Sequence, residues 1–389
     1  MQKVIRPGKL PVKMWVDSVE EGAGKQIANL ADFPFAYSHI AIMPDCHEGY
    51  GMPIGGVMAT GDVIVPNAVG VDIGCGMVAV KTSLTGVERP GLEKVIRDIR
   101  KEIPLGFKHH EHRQEDQWLP RVKALKEMPV VSREYESACY QVGTLGGGNH
   151  FIEIQKGSDG YIYVMIHSGS RNVGKQVADH YNRLAKELNK KWNISGTWEH
   201  QLAFLYTGSD EGQAYIREMR FCVEFAFNNR RHMLQKVLEV MHGGIGTRFT
   251  TETPVNIAHN YASLEEHFGE KVWVHRKGAT PAFEGIIGII PGSQGTKSYL
   301  VKGKGNPESF CSCSHGAGRR LGRNQARKRL DLEFERKRLE QKGIIHSLYS
   351  WRDLDEAPSA YKDIEEVISL QNDLVEVLVE LEPLAVVKG

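Results

Sequence analysis

The sequence predicts an α+β fold, and three observations carry this prediction. Short apolar runs broken by glycine fill the first eighty residues, a pattern typical of strands joined by tight turns. Apolar residues at helical spacing appear later, so helices follow the strands. No repeat or low-complexity linker is evident, which favours a single large interleaved domain over residues 1–389, with several small sheets and flanking helices.

The individual elements follow from these patterns in chain order. Strands are expected at the apolar runs, over residues 39–43, 49–66, 68–80, 151–154 and 161–166, and again between 254 and 312. Helices are expected in segments with helical character, over residues 91–103, 172–192, 198–242, 323–341 and 360–380. The polar stretch 108–117 is predicted to be a surface loop, and its three histidines, His109, His110 and His112, to be solvated.

Charge and composition exclude several classes of protein. With 49 Lys+Arg and 48 Asp+Glu, the net charge of +1 excludes a uniformly basic nucleic-acid coat, so any nucleic-acid site must be a local patch. Residues 319–342 contain ten Lys or Arg and four Asp or Glu and are a candidate patch. The alternative for this segment is a solvated helix with ion pairs such as Glu333–Lys337.

The sequence predicts a cytoplasmic protein without a membrane partner. The N-terminus has no apolar core of a secretory signal, and no apolar run reaches the length of a membrane span. Six cysteines in 389 residues are too sparse for a disulfide framework. The thiols are therefore expected to ligate metal or to lie in the core.

Asp72 and Cys75 are candidate metal ligands. They stand three residues apart in the segment VGVDIGCG, where a turn could direct both side chains at one point. A carboxylate and a thiolate on one ion suit Mn, Zn or Fe. The alternative is a turn aspartate that bonds its own backbone beside a buried free cysteine.

Three histidines extend this candidate site. His150, His167 and His259 each stand beside a strand-like segment, and each could alone be a structural histidine. Together with Asp72 and Cys75 they provide enough ligands for two ions if the thiolate bridges. Two-metal sites of this kind handle phosphoryl oxygens.

His315 has the setting of a nucleophile. Small residues surround it in SCSHGAGRR, leaving room for a bulky group, and Arg319 and Arg320 could offset negative charge. A neutral imidazole can attack phosphorus if its other nitrogen is fixed by a hydrogen bond. Two alternatives are a third metal cluster formed with Cys311 and Cys313, and an ordinary glycine-rich loop.

Taken together, the motifs resemble the RtcB family of RNA-splicing ligases. The resemblance runs from Pro11 to the last residue and keeps the motif order. The motifs that carry it are MPDxHxGYGxPIGG, VGVDIGCGM, GTLGGGNHFIE, HSGSRNVG, HNY, RKGA, IPGSxG, SFCSCSHGAGR, AYKDI and a terminal VKG.

The resemblance implies an RtcB-like fold and a set of functional residues. The two-ion manganese site would use Asp72, Cys75, His150, His167 and His259. His315 would be guanylylated by GTP, Asp45 would orient it, and Arg171 would contact phosphate. Guanylate would be bound by Asn149, Glu153, Asn260, Ser293, Ser298, Tyr361 and Lys388.

The implied activity joins an RNA 3′-phosphate or 2′,3′-cyclic phosphate to a 5′-hydroxyl end, in tRNA splicing or RNA repair. The intermediates would be a histidine–GMP adduct and an RNA end activated as 3′-pp-G. The alternatives are a metal-dependent phosphohydrolase acting on RNA phosphates and a noncatalytic RNA-binding protein. The sequence leaves open which RNA is joined, whether an activating protein takes part, and the oligomeric state.

Four positions depart from the family pattern. Gln294 stands where methionine is common, and Pro281 and Ala282 stand where an arginine often follows the KGA motif. Cys46 replaces a common valine beside Asp45, which could add a reactive thiol. These changes leave open a paralogue tuned for RNA repair.

Overall fold

The strands of the protein group into two larger sheets and two short ribbons. A computed structural model describes residues 1–122 and 125–389. The described strands are β1 (Lys3–Ile5), β2 (Val12–Met14), β3 (Ala36–Tyr50), β4 (Met52–Thr60), β5 (Val63–Ile64), β6 (Gly76–Lys81), β7 (Phe151–Gly157), β8 (Ile162–Ser168), β9 (Leu205–Tyr206), β10 (Val255–Ala258), β11 (Asn260–His267), β12 (Glu270–Lys277), β13 (Ala279–Pro281), β14 (Ile287–Ile290), β15 (Ser298–Gly303), β16 (Ser312–Ser314) and β17 (Val375–Lys388).

Helices connect and cover these strands. The described α-helices are α1 (Glu21–Ala31), α2 (Pro66–Val69), α3 (Arg89–Glu102), α4 (Pro129–Gln141), α5 (Arg171–Lys191), α6 (Asp210–Ile245), α7 (Arg323–Arg329), α8 (Leu332–Gln341) and α9 (Ile364–Ser369). Within the described residues, no helix is both long and apolar enough to cross a membrane.

The sheet orders show that distant parts of the chain interleave. The six-stranded sheet has the order β1-β2-β3-β4-β12-β11, with only β2 and β3 parallel. The seven-stranded sheet has the order β10-β6-β8-β7-β17-β15-β14 and is antiparallel throughout. The predicted α+β class is therefore confirmed. One domain over residues 1–389 stays a prediction.

The antiparallel register brings four chain segments to one edge of the seven-stranded sheet. Gly76 at the start of β6 pairs with Ala258 at the end of β10 and with Ser168 at the end of β8. Phe151 at the start of β7 pairs with His167 near the end of β8. In antiparallel neighbours, the start of one strand lies beside the end of the next. The residues flanking these four strand ends therefore meet at one place.

The core below this edge is formed by the helices. Apolar residues of β6, β7 and β8 pack with α3 and α6 in one buried cluster, and α4, α5 and α6 form another. Leu92, Val95, Ile96 and Ile99 are the buried residues of α3, as their helical spacing predicts. Burial of such side chains stabilises the fold by about 1.5–3 kcal/mol each.

Three helix predictions were wrong at their boundaries. The helix expected over 198–242 begins only at Asp210, because Ser209 caps it by accepting from the Gly212 amide. The segment 323–341 is two helices, since Asp331 caps a second one by accepting from the Phe334 amide.

The largest error concerns residues 360–380. Only α9 is an α-helix there, and the strand β17 begins at Val375. β17 lies between β7 and β15, so its backbone groups are paired on both sides. Its Val, Leu and Glu content allows either conformation, and tertiary pairing decides for the strand.

Candidate active site

The five predicted metal ligands meet at the strand-end edge described above. Asp72 and Cys75 lie in the loop before β6, and His150 directly precedes β7. His167 is the penultimate residue of β8, and His259 directly follows β10. Apart from Asp72, these side chains are buried. Glycine is required in the loop, because Gly74 has a φ of +77° and a Cβ there would lie 2.8 Å from the backbone of Val223.

The ligand atoms form two groups that share one thiol. Cys75, His167 and His259 make one group, and Asp72, Cys75 and His150 make the other, each with ligand atoms within 4.8 Å of one another. The Cys75 Sγ atom lies 3.2 Å from His167 Nε2 and 3.5 Å from His150 Nε2. His150 Nε2 lies 3.0 Å from Asp72 Oδ2, and His167 Nε2 lies 3.4 Å from His259 Nε2.

Backbone carbonyls fix the orientation of two of the imidazoles. His150 Nδ1 donates to the Leu145 carbonyl at 2.9 Å, and His167 Nδ1 donates to the Asn149 carbonyl at 3.0 Å. With Nδ1 protonated, each Nε2 presents a lone pair to the shared thiol. Metal-ligating histidines usually have such a second hydrogen bond. The donor set and its orientation therefore fit divalent cations.

Burial controls the protonation of these groups in the protein without a metal ion. It raises the pKa of the Cys75 thiol well above its usual range, and the nearby Asp72 adds to this. It lowers the pKa of His167 and His259 well below the usual value. Burial would also raise the pKa of Asp72, but the combined interactions with His150, Cys75 and Arg171 outweigh burial and lower that pKa.

A buried arginine that the sequence analysis missed holds the loop that carries Asp72 and Cys75. Arg230 of α6 is fully buried, and its Nη1 donates to the carbonyls of Gly74 and Ser168, both at 2.9 Å. Its positive charge opposes the effect of burial on the Cys75 thiol. No local motif identifies it, because its partners lie 156 and 62 residues away in the chain.

His315 is held by Asp45. Its Nδ1 donates to Asp45 Oδ2 at 2.6 Å, and its backbone amide donates to the same oxygen at 3.0 Å. Asp45 is fully buried, whereas the His315 side chain is 15% exposed. The His315 ring centroid lies 4.8 Å from that of His259. This pairing leaves Nε2 of His315 free to act as a nucleophile.

An open cavity of about 940 Å³ joins the histidine and the metal-ligand groups. Its lining includes all five predicted metal ligands and His315. Of the predicted guanylate contacts, the cavity is lined by Asn149, Glu153, Asn260, Ser293, Tyr361 and Lys388. Ser298 lies behind it, where its hydroxyl accepts from the Gly292 amide at 3.1 Å and from Gln155 at 3.2 Å.

Glu356 is a second residue that the sequence analysis missed. Its carboxylate accepts from the Tyr361 hydroxyl at 2.6 Å and pairs with Arg319 and Lys388. Burial would raise its pKa, but Lys388 and Arg319 outweigh burial and lower the pKa to about 2. Arg319 also lies 4.9 Å from the centre of the Tyr361 ring. Glu356 therefore fixes both C-terminal residues that line the cavity.

Two further residues of the cavity have pKa values moved toward neutrality. Burial raises the pKa of Glu153 to about 8 and lowers that of Lys277 to about 7. Lys277 Nζ donates to the carbonyls of Tyr50 and Asn67. The sequence analysis identified Glu153 by resemblance and did not single out Lys277.

Arg171 lies at the edge of the site and not in the cavity lining. It begins α5 with a positive φ of 61°. Its guanidinium donates to Thr144 Oγ1 and to the Gly106 carbonyl, both at 3.0 Å. Burial lowers the pKa of Arg171, and the nearby Asp72 and Cys75 partly oppose this effect. Its contact with a phosphate stays a prediction.

The departures from the family pattern have structural roles. Gln294 is buried and bridges two segments, donating to the Glu356 carbonyl at 2.9 Å and accepting from the Ser347 amide at 3.2 Å. Pro281 lies in β13, paired with Ser312. Burial raises the pKa of Cys46 to about 12, so the expected reactive thiol is not present at this position.

Two other sequence alternatives are placed by the structure. Cys313 is buried in the apolar core, whereas Cys311 is half-buried, and the ligand groups found among the described residues include neither. His109 and His112 are exposed as predicted, but His110 is half-buried, with its ring 6.1 Å from that of His232.

The basic segment 319–342 has a mixed character. Arg319, Arg320 and Arg323 line the cavity. In α8, Arg336 pairs with Glu333 and Glu340. The first part of the segment therefore faces the site, and the second part is an ion-paired helix surface.

Candidate metal-ligand groups beside an oriented histidine are typical of enzymes that handle phosphoryl groups with bound cations. A family model described as tRNA-splicing ligase RtcB matches residues 26–389. The chain belongs to this RtcB family of RNA ligases.

Named relatives of the family match nearly the whole chain. The RNA-splicing ligase RtcB of Escherichia coli is 38% identical, over 97% of this chain and 97% of the relative. The tRNA-splicing ligase RtcB of Thermococcus kodakarensis is 32% identical, over 94% of this chain and 90% of the relative. The RNA-splicing ligase RtcB of Mycobacterium bovis is 32% identical, over 94% of this chain and 100% of the relative.

Proposed function

We propose that this chain joins RNA 3′-phosphate or 2′,3′-cyclic phosphate ends to 5′-hydroxyl ends, using GTP and a guanylylated His315. The single observation that carries the proposal is the His315–Asp45 pair, with Nδ1 held at 2.6 Å, in the same cavity as the metal-ligand groups. A phosphohydrolase that works through the metal site alone has no use for this second nucleophile.

Two manganese ions are proposed to be held by the two ligand groups, with Cys75 shared. The carboxylate and imidazoles suit manganese, and the buried thiol must lose its proton to become a ligand. When bound, such ions supply positive charge that polarises phosphoryl oxygens. Arg230 keeps the loop of Cys75 in place through the Gly74 carbonyl.

The first step is guanylylation. His315 Nε2 attacks the α-phosphorus of GTP, a P–N bond forms, and the bond to the leaving pyrophosphate breaks. Asp45 holds the Nδ1 proton, selects the tautomer and stabilises the charge that develops on the imidazole. The small residues Gly316 and Ala317 in the cavity lining leave room for the phosphate beside the ring.

The next steps transfer this activation to RNA. A cyclic end is first opened by water to a 3′-phosphate. An oxygen of the RNA 3′-phosphate then attacks the phosphorus of the His315 adduct, the P–N bond breaks, and the end becomes 3′-pp-G. The 5′-hydroxyl attacks the 3′-phosphate phosphorus, GMP leaves, and a phosphodiester remains. These steps need mainly positioning and charge stabilisation.

The guanylate is proposed to lie against the wall formed by the C-terminal segments. Tyr361 presents a ring to the cavity, fixed by Glu356 and Arg319, and can stack on guanine. Lys388 offers a positive charge from the same wall. The other proposed contacts are Asn149, Glu153, Asn260 and Ser293, with Ser298 positioning the loop at Gly292.

The test is guanylylation itself. Protein is incubated with Mn²⁺ and GTP labelled at the α-phosphate and then separated by denaturing electrophoresis. We expect an acid-labile, alkali-stable label that is absent from His315→Ala and present in His112→Ala, which changes an exposed histidine outside the cavity.

The opposite outcome is equally informative. A protein that binds Mn²⁺ and opens 2′,3′-cyclic phosphates but never takes label would overturn the proposal and support the phosphohydrolase alternative. Ligation of RNA by His315→Ala at the wild-type rate would overturn it as well.

A further inference from the structure

A second, smaller cleft lies beside the candidate active site. Its volume is about 390 Å³, and its lining includes Arg100, Lys101, Lys108 and His109. We call it the side cleft. Two carboxylates, those of Glu102 and Glu111, line it as well.

Exposed aromatic residues flank the side cleft. Phe107, in the segment between Leu105 and Lys108, is fully exposed. Tyr349 is 64% exposed, and the Arg100 guanidinium lies 5.6 Å from the centre of its ring. An aromatic ring left entirely in water stabilises nothing in the fold, so Phe107 is available to an external ligand.

The side cleft is joined to the active-site cavity through glycine backbone. The Gly106 amide donates to the Gly146 carbonyl at 2.9 Å, and the next residue, Gly147, lines the cavity. The Gly106 carbonyl accepts from Arg171, which lies near Asp72. The two recesses are therefore adjacent across the backbone of Gly106 and Gly146.

A second connection runs through Ser347. Its hydroxyl accepts from Arg100 Nη2 at 2.7 Å and from the backbone amide of Lys388 at 3.2 Å. Lys388 lines the active-site cavity, and Arg100 lines the side cleft. Hydrogen bonds through Ser347 therefore connect the two recesses.

The cations of the side cleft remain available for a polyanion. Lys101 has a weak ion pair with Asp98 at 3.5 Å, and within the described residues Arg100 and Lys108 have no carboxylate partner. Alternating positive charge and exposed aromatic rings are what single-stranded nucleic acid requires, because its phosphates and its unpaired bases are both accessible.

We propose that the side cleft binds single-stranded RNA a few nucleotides from the end that reacts in the active-site cavity. Arg100, Lys101 and Lys108 contact phosphates, and Phe107 and Tyr349 stack on bases. This inference rests on the proposed function, because it places the RNA relative to the reacting end.

The test compares RNA of two lengths. The affinity of the full chain for a labelled, 3′-phosphorylated RNA strand of about twelve nucleotides is measured by fluorescence anisotropy. The affinity for a 3′-phosphorylated dinucleotide is measured by its competition with that labelled strand. In Phe107→Ala/Lys108→Ala, we expect the longer strand to bind about tenfold or more weakly. The dinucleotide, which ends inside the cavity, should bind as to wild type.

Salt dependence gives a second readout. Loss of a phosphate contact at Lys108 should reduce the slope of log affinity against log salt concentration by about 0.7. Phe107→Ala alone should lower the affinity with little change in that slope. The matched control is Phe334→Ala/Lys337→Ala, which removes one exposed aromatic ring and one lysine from α8.

Two outcomes would overturn the inference. One is equal weakening by the cleft variant and the α8 variant, and the other is equal weakening of the short and the long strand. Guanylylation of the variants with GTP alone separates this inference from the proposed function. If the cleft variant is guanylylated by GTP but has lost its binding of the long strand, the result supports both the proposed function and the side cleft. If the cleft variant loses only the binding of the long strand, but no protein, wild type included, is guanylylated, the result supports the side cleft and rejects the ligase mechanism.

Discussion

Cys75 is the residue on which the candidate metal site depends most, because it belongs to both ligand groups. We expect Cys75→Ala to abolish ligation, since each group loses a ligand at the same time. RNA ligation and bound manganese, measured by elemental analysis, check this prediction. Cys139→Ala, which removes a buried thiol in α4, is the control and should retain both. Near-normal ligation by Cys75→Ala would disprove the bridging role.

Asp45 is expected to act on the rate of guanylylation and not on the fold. In Asp45→Asn the size is kept, but the negative charge that selects the His315 tautomer is lost. We expect labelling by GTP to slow by about 10²–10⁴-fold, as for other oriented histidines. The labelling time course measures this, and an unchanged melting temperature shows that the fold is intact. A rate close to wild type would exclude Asp45 as the positioning group.

The residues of the site differ in how far sequence could predict them. Cys75 stands between two glycines before β6, and His150 stands two residues after Gly148 and directly before β7, so local pattern and resemblance both point to them. Arg230 and Glu356 have no such context. Their partners are distant in the chain, and only the folded arrangement reveals why a buried arginine or glutamate is stable there.

At the level of elements, the antiparallel register of β6, β7, β8 and β10 brings the candidate metal ligands together. Strands β7 and β8 were predicted near their observed bounds from apolar runs between glycines. The strand predicted over residues 68–80 was wrong at its start, because α2 ends at Val69, a loop follows, and β6 begins only at Gly76. The strand β17 was predicted as helix, because the central place of a segment in a sheet depends on partners such as β7 and β15. Local preference cannot supply that information.

The link between β17 and the segment around Glu356 gives a prediction about pH. Glu356 has a pKa of about 2 when folded and an ordinary value near 4.5 when unfolded. Its contribution to stability is therefore fully present above about pH 4.5 and is lost as the pH falls toward 2. We expect Glu356→Gln to lower the free energy of unfolding by about 3 kcal/mol near neutral pH and by much less near pH 2.

Denaturant unfolding at several pH values measures this effect. Glu366→Gln, which changes an exposed carboxylate of α9, is the matched control and should track wild type. A constant difference between Glu356→Gln and wild type across the whole range would mean that the ion pairs with Lys388 and Arg319 do not set the acid response.

At the level of the whole molecule, metal binding should stabilise the fold, because the ligands come from segments flanking four strands of one sheet. An ion at 100 times its dissociation constant adds about 2.7 kcal/mol. We expect a chelator to lower the melting temperature of the wild-type protein by several degrees. In Cys75→Ala the chelator should have little effect. A wild-type melting temperature that ignores both manganese and chelator would contradict the proposed site.

The cavity could not be predicted from the sequence, because it depends on the packing of the whole molecule. The sequence analysis found the fold class and the ligand motifs, but the cavity is formed where the two larger sheets approach each other. Tyr50 and Lys277 reach it from the six-stranded sheet, and His167 reaches it from the seven-stranded sheet. Which faces of two sheets meet depends on the packing of the whole chain.

The central place of β17 has a consequence for how the protein is made. β7 and β15 leave the ribosome long before residues 375–388, so during synthesis both carry an unpaired edge where β17 will insert. Unpaired edges of this kind invite aggregation. Lys388, which we propose to contact guanylate, arrives with the same strand. A nascent chain should therefore be prone to aggregation and lack this contact until β17 has emerged.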